Sequence, residues 1–313
     1  MRSRAEPRTS TTQNLRKLRV LAPQQTFIHM LRTALARASD GRALSCNDTR
    51  AHKRVDTLAR ALSRDLMMGT NASGYSVHGQ FGIFAHGDKL VGSSNKHLHL
   101  NYAGVKVKFL FSRTCELARS SADGKLSICE IGFNAGLSSL LFLEAAPDAT
   151  VHSFDLGDMP WSQKADELLR SAYGSVRFPG VTFGDSAKTI RTRDRERPLK
   201  CDVAFIDGDK TYEGRLQSLY DARAISRPAA LVFLDDLSSR ACIDGSVPKK
   251  EHTRRCEERQ MYATAVRAYD RASRTGLLKV RDCVWPPSYE DKDGICTAEL
   301  SHSVPDRISI KVG

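Results

Sequence analysis

Between residues 126 and 234 the sequence alternates between short apolar runs typical of strands and longer stretches typical of helices. The strand-like runs lie at 126–131, 150–155, 181–184, 201–206 and 230–234. The helix-like stretches between them lie at 137–146, 161–173 and 211–226. Because strands that alternate with helices form βαβ units and a parallel sheet, we predict an α/β fold of the doubly wound type. Ligands of such folds bind at the carboxyl ends of the strands.

The flanking segments complete the predicted fold. Apolar spacing predicts helices at 27–38, 55–68 and 105–121, and a polar stretch predicts another at 250–275. A Gly- and Ser-rich segment contains an alternating run that favours a strand at 97–101. Two further runs, at 277–285 and 307–312, are predicted to be an antiparallel pair of strands. We therefore expect a mostly parallel, seven-stranded sheet with an antiparallel edge hairpin.

The positive charge is concentrated near the amino terminus. The net charge is +12, and residues 1–64 hold 14 Lys and Arg against four acidic residues. We predict a basic helical extension at 1–65, which would bind RNA, anionic lipid or an acidic partner, act as a targeting segment, or be simply solvated. The main domain is predicted at 66–313, with a substrate lid at 66–104 and an insert with a late helix at 240–300.

Membrane insertion and secretion are both disfavoured. No apolar run approaches the roughly 20 residues that cross a bilayer, and no secretory apolar segment follows Met1. Cytoplasmic or organellar location is therefore favoured. Cys129 and Cys201 lie in strand-like runs, where a thiol is usually a small buried hydrophobe. Four late cysteines are candidates for two disulfides in an oxidising compartment: Cys242, Cys256, Cys283 and Cys296.

A glycine loop with a preceding acid follows the first predicted strand. It contains Glu130, Gly132, Asn134, Gly136 and Ser138. The glycines permit a tight turn and close approach of a ligand, and the next helix offers its N-terminal N–H groups. A dinucleotide site would have glycine at position 134 to make room for a pyrophosphate. Because the acid at 130 suits a cationic ligand better than a pyrophosphate, a nicotinamide dehydrogenase is disfavoured.

Acidic residues also end the second and third strands. Asp155 lies 23 residues after Gly132, where an acceptor for ribose hydroxyls is expected at about 20. Asp185 can accept a hydrogen bond from the exocyclic amine of adenine, with help from Ser186. Each acid alone could instead cap a helix. Ligand-type residues at three successive strand ends favour a nucleoside site.

A second group of acids ends the fourth and fifth strands. Asp207 ends the fourth strand, and Asp235 and Asp236 end the fifth. Clustered carboxylates repel unless one is protonated or a cation lies between them. Oxygen ligands favour Mg²⁺ or Ca²⁺, although a cap without metal is the alternative. Asp209 and Glu213 are interpreted as ordinary acids at a helix N-terminus.

Taken together, these motifs resemble those of class I S-adenosylmethionine-dependent methyltransferases. The segments that carry the resemblance are EIGFNAGLSSLLFLEAAPDATVHSFDLGD, FGDS, FIDGDKTYEG and FLDD. They are similar to the metal-dependent small-molecule O-methyltransferases of the catechol and caffeoyl-CoA types, over about residues 105–240. The resemblance implies that Glu130 and the glycine loop hold the methionine part of S-adenosyl-L-methionine. It places the ribose at Asp155 and the adenine edge at Asp185.

The same resemblance implies a catalytic centre. A divalent ion, Mg²⁺ or another, would bind Asp207, Asp235 and position 236, where the family has Asn and this sequence has Asp236. Lys210 matches the lysine that takes the proton from the attacking hydroxyl, and nearby cations would lower its pKa. The oxygen would then attack the sulfonium methyl in line.

The function implied is methyl transfer from S-adenosyl-L-methionine to a small hydroxylated acceptor, such as a phenol or a sugar. One alternative is a binding protein of the same fold that has lost catalysis. Another is RNA methylation, in which the basic arm contacts phosphates. Nucleic acid is not favoured, because the core has few basic residues interleaved with aromatic ones. The sequence does not indicate an oligomeric state.

Overall fold

The computed structural model describes residues 28–29, 33, 46–47, 49–68, 99–159, 161–196, 198–237, 260–285 and 294–303. The helices are α1 (Thr49–Met68), α2 (His99–Ser120), α3 (Leu137–Ala145), α4 (Ser162–Arg177), α5 (Ser186–Glu196), α6 (Tyr212–Ile225) and α7 (Gln260–Arg274). The strands are β1 (Ser127–Ile131), β2 (Thr150–Asp155), β3 (Val181–Phe183), β4 (Cys201–Ile206), β5 (Ser226–Leu237), β6 (Leu278–Val284) and β7 (Gly294–Leu300).

All seven strands form one sheet, in the order β3-β2-β1-β4-β5-β7-β6. Strands β1 to β5 pair in parallel, whereas β7 pairs antiparallel with both β5 and β6. This confirms the predicted doubly wound, mostly parallel sheet with an antiparallel edge. The strand order reverses between β1 and β4, so the carboxyl ends of these two strands flank the crevice in which ligands of such sheets bind.

Helices cover both faces of the sheet. The first buried cluster contains apolar residues of α1 to α4, and the second contains residues of α5, α6 and α7. In β4, Val203 and Phe205 pack in the first cluster, whereas Ala204 and Ile206 pack in the second. This alternation follows from the opposite directions of successive side chains in a strand. It fixes β4 between two layers, with only its ends open to a ligand.

Helix α1 belongs to the same core as the sheet. Val55, Leu58, Leu62 and Leu66 are buried on one side of the helix, as their helical spacing requires. The part of the predicted extension 1–65 that the structure describes as α1 is therefore packed within the main hydrophobic cluster. None of the described helices is long and apolar enough to cross a membrane.

Two predicted strands need correction. The strand predicted at 97–101 is wrong from His99 onward, because α2 begins there and continues through the helix predicted at 105–121. The four-residue alternation is outweighed by the helical spacing of the apolar residues that α2 buries. The partner of β6 is β7, at Gly294–Leu300; the strand predicted at 307–312 lies outside the described residues. Strand β7 is buried nearly throughout, so it lacks the alternation of an edge strand.

Within the described ranges, disulfides join six cysteines: Cys46–Cys115, Cys129–Cys201 and Cys283–Cys296. The prediction that Cys129 and Cys201 are unbonded buried thiols is wrong, because β1 and β4 are neighbours and bring the two residues together. The pair at 283 and 296 comes from the predicted late group. Cys242 and Cys256 lie outside the described residues.

Candidate active site

The glycine loop after β1 requires its glycines. Gly132 has φ 100°, and a Cβ there would lie 2.5 Å from the backbone oxygen of Asp207. Gly136 has φ 74°, and a Cβ there would lie 2.7 Å from side-chain atoms of Leu169 and Phe133. Only glycine adopts these angles without strain and allows the loop to approach the end of β4 so closely.

Asn134 occupies the position where the commonest form of the family loop has glycine. Its φ of 49° is in the left-handed region, which Asn tolerates better than most residues. Its Oδ1 accepts a hydrogen bond from Nε1 of Trp161 at 2.6 Å, and its carbonyl accepts one from the Ser162 hydroxyl at 2.9 Å. The start of α4 therefore holds Asn134 in place. Sequence reasoning missed Trp161, which belongs to no recognised motif.

Asp155, at the end of β2, holds the glycine loop from the other side. Its Oδ2 accepts hydrogen bonds from the backbone N–H groups of Phe133 and Asn134, each at 2.9 Å. Its Oδ1 accepts one from the N–H of Gly157 at 2.8 Å. A carboxylate has about four acceptor positions. Asp155 therefore retains acceptor capacity for a hydroxyl while it shapes the loop.

Glu130 is fully buried beneath the loop. It accepts hydrogen bonds from the hydroxyls of Ser138 and Ser139, and from that of Ser153 at 2.7 Å. Burial raises the pKa of Glu130 to about 7, although the three hydroxyl donors oppose this shift. Ser139 and Ser153 were missed by sequence reasoning; Ser153 is a polar residue within an otherwise apolar stretch of β2. Glu130 therefore lies one layer behind Ser138.

A cavity of about 80 Å³ lies against this loop. Five predicted site residues line it: Gly132, Asn134, Ser138, Asp207 and Asp235. The structure therefore brings the loop after β1 together with the acids that end β4 and β5. Lys106, from α2, also lines the cavity and was missed by sequence reasoning.

Asp185 and Ser186 lie at the end of β3, two strands away from β1 in the sheet. The Oδ1 of Asp185 accepts a hydrogen bond from the N–H of Ala187 at 3.0 Å, so this side chain caps α5. Its other oxygen lies 3.5 Å from Nζ of Lys188. Asp185 is exposed and Ser186 is half-buried. The structure does not place either residue in the wall of the cavity beside the loop.

Three carboxylates form a cluster at the ends of β4 and β5. Asp207, Asp235 and Asp236 each contribute an oxygen, and these oxygens lie within 4.8 Å of one another. Consecutive residues of a strand normally point to opposite faces. Here the register of β5 with β7 is irregular between Leu234 and Leu237, and Asp236 has φ 58°. This irregularity allows both neighbouring carboxylates to join the cluster.

Lys210 lies between two of these carboxylates. Its ammonium contacts Oδ1 of Asp207 and lies 2.6 Å from Oδ2 of Asp236. Burial opposes the charged form, but the two carboxylates outweigh it and raise the pKa of Lys210 above its ordinary value. The prediction of a lowered pKa is therefore wrong for this arrangement, because Lys210 is surrounded by acids. Thr264 of α7 fixes its backbone by donating a hydrogen bond to its carbonyl at 2.6 Å.

Two further cations contact the cluster from the helices. Lys106 of α2 contacts Oδ1 of Asp235, and both side chains are almost fully buried, at 2% and 5% exposed. Nη2 of Arg215, on α6, lies 3.7 Å from Oδ2 of Asp236. Burial raises the pKa of Asp236, but Lys210 and Lys106 outweigh it and hold the value at about 2. No recognised motif contains Lys106 or Arg215, which is why sequence reasoning missed both.

A larger cavity, of about 790 Å³, is lined in part by Lys210 and shares no lining residue with the smaller one. It is formed by the start of α6 and by α7, and its lining includes Lys210, Tyr212, Thr264 and Arg267. Because Asp207 lines the smaller cavity and Lys210 the larger one, the ion pair that joins them lies between the two spaces.

Comparisons with known proteins found one matching family model. Residues 129–237 match the family described as a methyltransferase domain. No curated protein matches the chain. Among solved structures, an O-methyltransferase from Bacillus cereus in complex with S-adenosylhomocysteine is 16% identical, with 63% of this chain and 81% of that chain covered and a TM-score of 0.48. The O-methyltransferase TomG from Streptomyces achromogenes is 19% identical, with 63% and 80% covered and a TM-score of 0.47. Residues 129–237 of this chain are therefore similar to a methyltransferase domain.

Proposed function

We propose that this protein transfers the methyl group of S-adenosyl-L-methionine to a hydroxyl oxygen of a small acceptor. The observation that carries the proposal is the position of the Asp207–Lys210 pair between two cavities. The smaller cavity is bounded by the glycine loop and suits the methionine part of the donor. The larger has the volume of about 300–1,000 Å³ that is typical of small-molecule sites, and suits the acceptor.

The donor is proposed to extend across successive strand ends. Neighbouring strands lie about 4.8 Å apart, so β1, β2 and β3 offer contacts at the spacing of consecutive parts of a nucleoside. Ser138 and the loop backbone would contact the methionine part, with Glu130 supporting Ser138 from below. Asp155 would accept from the ribose hydroxyls. Asp185 and Ser186 would contact the adenine edge.

The acceptor hydroxyl is proposed to bind beside Lys210 in the larger cavity. Its proton passes to the carboxylate of Asp207, which the protonated Lys210 holds in place, as the oxygen forms a bond to the methyl carbon and the sulfonium–methyl bond breaks. The electron pair of that bond remains on sulfur, which gives S-adenosylhomocysteine. Most of the acceleration would come from holding the two reactants in line.

The divalent ion that the family resemblance implies has no step in this mechanism. Carboxylate oxygens are donors that Mg²⁺ prefers, and three of them lie close together here. Each of these carboxylates, however, already faces a cationic side chain: Lys106, Lys210 or Arg215. A divalent ion placed among them would be repelled by the adjacent ammonium groups. In this arrangement the residues do not fit the ion.

The donor site can be tested by equilibrium dialysis with labelled S-adenosyl-L-methionine. We expect Asp155→Ala to weaken binding by on the order of 10- to 100-fold, since it removes charge-assisted hydrogen bonds. Asp202→Ala is the matched control, because Asp202 also accepts a backbone N–H, that of Ser127 at 2.9 Å, but at the opposite end of the sheet. Equal weakening by both variants would contradict the proposed site.

A further inference from the structure

We propose that the ammonium group of Lys106 is a built-in counter-cation of the carboxylate cluster, and that it replaces a divalent metal ion in this enzyme. The inference rests on the proposed function only in taking the cluster to lie beside the reacting groups. It assigns a role to a residue outside the motifs at the strand ends.

The first support is the burial of the ion pair. The side chains of Lys106 and Asp235 are 2% and 5% exposed, and the two charged groups are in contact. A charge taken out of water is costly unless an opposite charge compensates it. Lys106 and Asp235 therefore depend on each other, and neither is a mobile surface group. Lys106 also lines the cavity beside the glycine loop, on the side where Asp207 and Asp235 are found.

The second support is the balance of charge. Three carboxylates, those of Asp207, Asp235 and Asp236, lie close together. Three cationic side chains contact or approach them: Lys106, Lys210 and Arg215. The cluster as a whole is close to neutral. A divalent ion added to it would leave an excess positive charge in a buried site, unless a lysine departed.

The third support is the way α2 is anchored, which holds Lys106 in position. Phe109, one turn further along α2, packs edge-on against Phe233 of β5 with ring centroids 6.2 Å apart. Phe233 lies two residues before Asp235 on the same strand, so this contact sets the helix against the strand at the level of the ion pair. Beyond it, Cys115 ties α2 to Cys46 by a disulfide. The backbone of Lys106 is therefore held in place by a packed, cross-linked helix.

The test is a titration of Mn²⁺ into the full-length protein, with free Mn²⁺ measured by electron paramagnetic resonance. We expect the wild type to bind no Mn²⁺ at millimolar concentration. Lys106→Met removes the internal cation, so we expect it to bind one Mn²⁺ per chain and to gain thermal stability when Mn²⁺ is added. Lys108→Met is the matched control, because Lys108 is exposed on the same helix; it should behave as the wild type does.

The double variant Lys106→Met/Asp235→Asn separates the metal site from other effects of the substitution. It removes both partners of the ion pair and should bind no Mn²⁺. Tight Mn²⁺ binding by the wild type would overturn the inference, and this result needs no variant to fold. A folded Lys106→Met protein that gains no affinity for Mn²⁺ but loses affinity for S-adenosylhomocysteine would also overturn it, by assigning Lys106 to the cofactor. Failure of the wild type to bind S-adenosylhomocysteine would instead contradict the proposed function, whatever the Mn²⁺ result.

Discussion

The two groups of carboxylates at the strand ends are satisfied in different ways. At the ends of β1 and β2, Glu130 accepts from serine hydroxyls and Asp155 from backbone N–H groups, all of them neutral donors. At the ends of β4 and β5, Asp207 and Asp235 face the ammonium groups of lysines. Carboxylates therefore accept hydrogen bonds from neutral donors on one side of the crevice and form an ionic cluster on the other.

The first group of carboxylates therefore fixes the shape of the glycine loop, and the second group takes part in a balance of charge. The donors around Asp155 belong to the loop backbone, so that carboxylate fixes the path of the loop on which a cofactor would rest. The partners of Asp207 and Asp235 are long side chains, Lys210 from the loop before α6 and Lys106 from α2, and they neutralise charge where a methyl group would be transferred. Hydrogen bonds to a charged group contribute about 1.5–3 kcal/mol each, whereas breaking a buried ion pair costs about 3–5 kcal/mol. Removal of one partner on the ionic side should therefore have a larger effect than removal of one hydrogen bond on the neutral side.

The largest effect is expected from Lys210→Met, which would sharpen the contrast between the two regions. Removal of the ammonium that holds Asp207, the proposed proton acceptor, should lower the rate of S-adenosylhomocysteine formation about 100- to 10,000-fold, measured with a panel of small phenols as acceptors. The affinity for S-adenosylhomocysteine should change little, because Lys210 lines the larger cavity, which is proposed to hold the acceptor. If rate and affinity fall together, Lys210 belongs to the cofactor site and the separation of roles fails.

The next effect is the pH dependence of the unfolding free energy that we expect Glu130 to cause. Glu130 belongs to the group of carboxylates with neutral donors. Burial raises the pKa of Glu130 from 4.5 to about 7, so the folded state binds this proton more tightly than the unfolded state. The contribution of Glu130 to stability is therefore greatest below pH 4.5 and is lost as the pH rises through about 7, by about 3 kcal/mol in total. Urea unfolding from pH 5 to 8 should show this decline in the wild type, and Glu130→Gln should flatten it. Parallel pH profiles of the two proteins would show that Glu130 is not the group responsible.

The smallest effect tests the rigidity of the glycine loop after β1. Gly132→Ala and Gly174→Ala both place a side chain at positive φ, of 100° and 77°. A Cβ at 132 would meet the backbone of Asp207, whereas at 174 nothing lies within 4 Å. Because Gly174 has φ 77° and ψ 157°, a region that essentially only glycine adopts, we expect Gly174→Ala to cost about 1–3 kcal/mol of unfolding free energy. We expect Gly132→Ala to cost more and to weaken binding of S-adenosylhomocysteine. Equal costs, with binding intact, would mean that the loop yields easily.

The sheet and several residues of the candidate site could be predicted because the sequence patterns that indicate them are local. Apolar runs mark the strands, and the acids at the ends of these runs lie towards the ligand-binding edge. Asp155 ends β2 and Asp207 follows β4, as predicted, whereas Asp235 lies two residues before the end of β5. Their partners could not be predicted in the same way. Lys106 reaches Asp235 across a long separation in sequence, from the interior of a helix, and no spacing rule connects them.

The prediction for the lysine beside Asp207 failed for the same reason. The sequence placed Lys210 near presumed cations, and its environment is instead set by two carboxylates brought together by the sheet. The order of the strands at the antiparallel edge of the sheet could not be predicted from local sequence patterns either. Strand β7 inserts between β5 and β6 because its nearly continuous burial suits an interior position, and the sequence favoured a later segment as the partner of β6.

The most direct test of the account is a calorimetric titration of the wild-type protein with S-adenosylhomocysteine, in buffer containing EDTA and again in buffer containing Mg²⁺. If the loop after β1 binds the cofactor and the carboxylate cluster is neutralised by its own lysines, one molecule should bind per chain, with the same affinity in both buffers. Absence of binding in both would contradict the cofactor site itself, and binding that requires Mg²⁺ would contradict a cluster neutralised by its own lysines.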